Sequence, residues 1–203
     1  NCASSGSRHV QSIVPVTSPV LHDLVGDLEF LLDNGYYYNW TVRAYDAEQF
    51  SAWNSTQRNI SIQSLVDIIL NRSSIEFGQI TKDGSNDTSD DSPLPFLIEN
   101  SGNSFVNVTI GATDLWLTQA NPSTNYRFKV DNNTLENLSY SPPLSKIVYT
   151  DIPAPGSPTM CVAILNYTDT KDTVEIDINI TVPSEEPAGF RNSTVTFTAS
   201  LAE

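Results

Sequence analysis

Residues 173–183, TVEIDINITVP, put Val174, Ile176, Ile178, Ile180 and Val182 on one parity and Glu175, Asp177, Asn179 and Thr181 on the other. A period of two marks an extended strand, because successive side chains point to opposite faces of the pleat. The apolar members are β-branched, which suits a pleated, half-buried surface. Such a stretch is expected to lie in an antiparallel sheet with its Val/Ile face in a core and its polar face in water. Asn179 opens an N-x-S/T sequon, so a glycan acceptor falls on the face expected to be wet.

Much of the chain on either side has the same texture, with almost no helical periodicity. Residues 74–80 (SIEFGQI), 94–100 (LPFLIEN), 104–113 (SFVNVTIGAT), 125–131 (NYRFKVD), 145–152 (SKIVYTDI), 159–168 (TMCVAILNYT) and 193–201 (STVTFTASL) read as strands separated by Gly, Pro, Asn and Asp. Short strands at regular spacing with such punctuation indicate an all-β antiparallel sandwich. Nearer the N-terminus, residues 34–54 read NGYYYNWTVRAYDAEQFSAWN. Asn34-Gly35 is a hairpin turn signal, after which Tyr36, Tyr38, Trp40, Val42 and Ala44 alternate with Tyr37, Asn39, Thr41 and Arg43. Residues 57–70, QRNISIQSLVDIIL, supply a partner strand. Residues 12–24, SIVPVTSPVLHDL, are extended but broken by Pro15 and Pro19, which suits an edge strand or a linker arm.

Three segments are therefore expected: an extended arm over 1–24, a partial β unit over 25–64, and a complete sandwich over 65–203. The middle segment is too short to stand alone, since a sandwich needs about seven strands and about 100 residues. The short junction near 63–66 implies a defined angle between domains.

Composition narrows the partners. Ten basic against 24 acidic residues leave a net charge of −14. No basic field exists for a phosphate backbone, so nucleic acid is an unsuitable partner. Anionic lipid would repel the chain, and no apolar run approaches the ~20 residues that span a bilayer. The start, NCASSGSRHV, has no apolar leader core, so a leader is expected to have been removed or the chain to be a processed fragment.

Asparagine gives the clearest compartment signal. Sequons begin at Asn39, Asn54, Asn59, Asn71, Asn86, Asn107, Asn132, Asn137, Asn166, Asn179 and Asn192. The Ser and Thr content alone predicts roughly four. The excess points to covalent N-glycans on an extracellular protein, since glycans demand exposed positions. Cys2 and Cys161 fit that compartment and are expected to pair, tying the N-terminal tail to the second domain. The alternative keeps Cys161 as a buried strand residue and lets Cys2 pair between subunits or stay free.

Few residues invite chemistry. Residues 83–91, DGSNDTSDD, place oxygens at Asp83, Ser85, Asp87, Ser89, Asp90 and Asp91, and the D-x-S-x-D spacing suits a calcium loop. The EF-hand pattern fails there, lacking Gly at its sixth position and Glu at its twelfth, and a solvated turn with Asn86 glycosylated is the simpler alternative. Only His9 and His22 exist and no G-x-S-x-G elbow occurs, so no enzyme activity is expected. Trp40, Trp53 and Trp116, with Tyr36 to Tyr38, are candidates for a sugar-stacking platform, although Trp40 alternates inward.

Residues 34–54 resemble the closing strands of fibronectin type III repeats. PLPFLIENSGNSFVNVTIGATDLW and VPSEEPAGFRNSTVTFTAS resemble the immunoglobulin-like sandwich domains of archaeal cell-surface and filament proteins. The resemblance implies an immunoglobulin-like β-sandwich preceded by a partial fibronectin type III-like β domain, in a glycosylated and often polymeric surface protein. The expected function is a structural subunit assembling head-to-tail by β-strand donation between copies, with residues 7–24 as the donated strand or the lining of its groove. The alternative is an adhesin or carbohydrate-binding module of a larger surface protein, with surface glycans as partners.

Overall fold

The computed structural model describes residues 37–40 and 58–202, with side chains from residue 62 onward. The chain divides into two compact units, Asn1–Ile62 and Gln63–Glu203. In the first, Tyr37–Trp40 (β1) pairs antiparallel with Arg58–Ser61 (β2), which sets Asn39 opposite Asn59. Within residues 57–70, Arg58–Ser61 thus form the expected partner strand, while Ile69 and Leu70 enter the second unit. The Asn34-Gly35 turn and the arm over 1–24 lie outside the described residues.

The second unit is all-β, with two antiparallel sheets among the described residues. The larger contains Ile69–Arg72 (β3), Ser85–Asp87 (β4), Phe96–Glu99 (β5), Tyr126–Asp131 (β7), Thr150–Asp151 (β8) and Thr173–Thr181 (β10). Its order is β3-β5-β10-β7-β8, and β4 continues along β10 where β5 stops. The smaller runs β11-β6-β9, from Val195–Leu201 (β11), Val106–Ala112 (β6) and Thr159–Leu165 (β9). A single 3₁₀ turn, Pro142–Leu144, is the only helical element described.

One core joins the sheets. Ile98, Phe128, Val130, Val174 and Ile176 from the larger sheet meet Val106, Val108, Ile110, Val162 and Leu165 from the smaller. Each such side chain contributes about 1.5–3 kcal/mol when fully buried. Phe96 of β5 meets Phe197 of β11 edge to face at 5.6 Å, closing that end of the core. Opposite, the backbone of Lys146 bridges the layers: Val130 N–H donates to its carbonyl at 2.7 Å, and its own N–H donates to Cys161 O at 2.9 Å.

The period-two signal reports burial better than it reports hydrogen bonding. Residues 74–80 are not a strand, although Ile75, Phe77 and Ile80 pack half-buried against the core. Gly78, at φ 69°, takes the chain out of extended geometry there. Of residues 145–152 only Thr150–Asp151 pairs as a strand. Conversely, β4 arises inside the acidic turn-forming stretch, because β10 offers it a ladder through Asn179↔Asp87, Ile180↔Asn86 and Thr181↔Ser85.

The largest correction concerns β10. Its polar face is not wet: Glu175, Asp177 and Asn179 are buried, as is every residue from Asp172 to Ile180. Strands flank β10 on both sides, and long polar side chains from those neighbours cover its outer face.

Cys161 takes the place that the alternative reading gave it, as a buried strand residue of β9. Cys161 is a fully buried free thiol inside the core, and its Sγ lies 3.2 Å from Val108 O as a donor. Cys2 lies outside the described residues. Burial pushes the Cys161 thiol up to about 12. In a Cys2→Ser background, native protein should leave Cys161 unlabelled by a maleimide and become labelled only at the unfolding transition; fast labelling under native conditions would contradict this packing.

Candidate functional site

The outer face of the larger sheet carries a polar lattice centred on β10. Arg72 Nη2 donates to Glu175 Oε1 at 2.6 Å. Lys129 Nζ lies 3.2 Å from Asp177 Oδ2 and donates to Asp131 Oδ2 at 2.8 Å. Thr88 Oγ1 donates to Asp177 Oδ1 at 2.7 Å, and Arg127 Nη2 donates to Asn179 Oδ1 at 2.9 Å. The Tyr149 ring sits beneath both cations, 5.7 Å from the Arg127 guanidinium and 5.6 Å from Lys129 Nζ. Burial would lower the Lys129 ammonium, but its hydrogen bond to Asp131 and the charge of Asp177 hold it well above its ordinary range. Burial, aided by Asp87 and Asp177, pushes the Tyr149 hydroxyl up to about 12. Each cation of the lattice thus has a polar or aromatic partner, as buried charges must, while Arg72 Nε, Arg127 Nε and the Tyr149 hydroxyl are buried without a hydrogen-bond partner.

At one end of β10 the balance turns negative. Asp172 is 7% exposed, and burial, then Glu136 and Glu99, raise its carboxyl to about 6. Glu136 Oε2 accepts from the N–H groups of Asp172 and Thr173 and from Thr173 Oγ1. Among the described residues no three His, Cys, Asp or Glu side chains converge as metal ligands. The candidate calcium set is accordingly not brought together: Asp87 Oδ1 accepts from Ser89 N–H and hydroxyl, and Asp90 Oδ1 accepts from Ser92 N–H. Ser85 is drawn into the β4 ladder, while Asp83 and Asp91 occupy left-handed turn positions at φ 61° and 59°.

Seven of the eight sequons with described side chains remain accessible. Asn71, Asn132, Asn137 and Asn192 are exposed, and Asn86, Asn107 and Asn166 are half-buried. Asn179 is the exception, at 8% exposure and held by Arg127. The side chains of Asn39, Asn54 and Asn59 lie outside the described residues, as do those of His9, His22, Tyr36 to Tyr38, Trp40 and Trp53. Trp116 is not a sugar platform. It is 7% exposed, and its Nε1–H donates to Asn125 O at 3.1 Å.

A feature that strand periodicity did not signal is the separation of charge between the sheets. Every strand of the larger sheet holds a charged residue, whereas VNVTIGA (β6), TMCVAIL (β9) and VTFTASL (β11) hold none. The β9 edge is covered by residues 139–147, through Ser141 N–H to Ala163 O at 2.9 Å and Lys146 N–H to Cys161 O. The β11 edge has no partner but β6 among the described residues. Glu186 fixes the approach to β11: its carboxylate accepts from the N–H groups of Leu117 and Thr118, from Thr118 Oγ1 and from Arg191. Burial pushes that carboxyl up, but the bonds from Arg191, Thr118 and Leu117 prevail and hold it at about 2. The clamp therefore persists down to strongly acidic pH.

No protein-family profile, curated protein or solved structure matches the chain.

Two substitutions test the lattice. Asp177→Ala should cost about 3 kcal/mol in chemical denaturation, because it strips a partner from a buried cation and from Thr88, and Asp177→Asn should cost less. Asp172 works in the opposite sense. Its raised carboxyl makes the folded state bind more protons between the ordinary value of 3.8 and about 6, so stability falls as pH rises through that window. Asp172→Asn should raise the melting temperature above pH 6, with the gain vanishing below 3.8; an equal gain at every pH would rule out titration as its cause.

Proposed function

We propose that the chain is a structural subunit of an extracellular, glycosylated surface filament or layer, with copies of itself as its partners. The observation that carries this is the accessibility of seven of the eight described sequons. Surface sequons at this density suit a chain coated by N-glycans, whose bulk shields an extended assembly from proteases. The two antiparallel sheets of the second unit support an immunoglobulin-like sandwich as its finer description. The fibronectin type III-like character of residues 25–64 rests on their sequence.

Assembly in this proposal runs head-to-tail by β-strand complementation. In this reading a strand from a neighbouring copy adds to the partial β unit over 25–64. Residues 7–24 are the candidate donor. Head-to-tail donation is heterologous, so it propagates into a fibre instead of closing a dimer.

Glycopeptide mass mapping and negative-stain microscopy of native material test both halves. Glycans are expected at Asn71, Asn132, Asn137 and Asn192, with Asn179 unmodified, on regular fibres. Unmodified peptides throughout would overturn the glycoprotein assignment, and discrete monomers with measurable glycan affinity would replace the filament with an adhesin or carbohydrate-binding module.

A further inference from the structure

We propose that the open edge of β11 is a self-pairing surface, through which two copies of the chain join β11 to β11 antiparallel about a two-fold axis at Thr198. The two β11-β6-β9 sheets then become one continuous sheet. The contact uses only residues 195–201, so it stands apart from the head-to-tail proposal.

The backbone fixes which groups are available. Thr113 N–H donates to Thr194 O at 3.0 Å, and Ala202 N–H donates to Phe105 O at 2.9 Å. Even-numbered residues of this strand therefore turn their N–H and C=O toward β6, and Val195, Phe197, Ala199 and Leu201 turn theirs to the open side. The β6 ladder runs unshifted from Val195↔Ala112 to Leu201↔Val106, so no bulge bends the edge away. Four N–H and four C=O groups stand in a straight row.

The protective devices found at other sheet edges are missing here. β3 has only four residues, a register shift and Arg72. β8 has two residues, one of them Asp151. β9 is covered by residues 139–147. β11 has seven residues, no Pro and no charge, and residues 192–202 contain no charged side chain. A long, uncharged, regular edge invites another strand.

A second copy fits this edge because the strand is complementary to itself. With the axis at Thr198, Phe197 faces the partner's Ala199 and Val195 faces the partner's Leu201. Both are hydrogen-bonded pairs, so every outward N–H and C=O on either strand is used. Apolar meets apolar on the core side, and on the outer side Thr198 meets its own copy while Thr196 meets the partner's Ser200, hydroxyl against hydroxyl. A register displaced by two leaves outward groups at one end facing chain beyond the strand. The net charge of −14 opposes most contacts between copies, but this sheet brings no acid to the interface. Asn192 lies beyond the end of the ladder, so a glycan there borders the contact without entering it.

The test uses the full chain in a Cys2→Ser background, where Cys161 stays buried. Thr198→Cys places two thiols at a non-hydrogen-bonded pair with Cα atoms about 4.5 Å apart, within disulfide reach. Mild oxidation should convert it mainly to a covalent dimer. Thr196→Cys alone should cross-link roughly tenfold less, since it faces Ser200, and Thr196→Cys with Ser200→Cys should restore the dimer. Cross-linking of Thr198→Cys should rise with concentration, and more so as salt screens the acidic surface. Ala199→Pro removes only an outward N–H, leaves the β6 ladder intact, and should abolish the Thr198→Cys cross-link with unchanged circular dichroism. Equal cross-linking from Thr196→Cys and Thr198→Cys, no cross-link at any concentration, or a Thr198→Cys cross-link that survives Ala199→Pro would each overturn the proposal.

Discussion

Double burial of one strand is the constraint on which the second unit depends. β10 has strands on both flanks, its Val and Ile side chains fill the core, and its Glu, Asp and Asn side chains are buried on the other face. Burying that polar face would cost more than the fold can spare unless each group found a partner. Of those partners, Lys129 and Arg127 come from β7 and Thr88 from the turn after β4, all bordering β10, while Arg72 reaches across β5 from β3. The order of strands in the larger sheet follows from this requirement, because β3 and β7 must bring their cations to the carboxylates of β10.

Charge therefore gathers on one sheet and leaves the other without any. The smaller sheet carries Thr, Ser and Asn on its outer side, and these bear no charge. For a chain of net charge −14, that neutral sheet is where a copy meets least electrostatic resistance.

Much of the architecture was legible as periodicity. The Val/Ile alternation of 173–183, the runs at 94–100, 104–113, 125–131 and 193–201, and the partner role of 57–70 all carry a local pattern that tertiary context did not override. The failures share a cause. At 74–80 alternating Ile75 and Phe77 reported a half-buried face, yet no ladder was available to that segment. At 85–87 turn-forming residues concealed a strand, because its hydrogen bonds come from residues more than 90 positions away. Trp116 and Cys161 likewise looked ambiguous in isolation, and the layer between the sheets resolved both as core.

By itself the sequence determined the all-β class, the N-x-S/T sequons and the acidic balance, because each is a property of residue type or of spacing along the chain. Tertiary structure alone decided which faces are wet, since solvent exposure depends on neighbours distant in sequence. Alternation separates two faces without saying whether water covers either one. Asn179 illustrates the difference: its sequon is plain in the sequence, and only the arrival of Arg127 from β7 removes it from the surface.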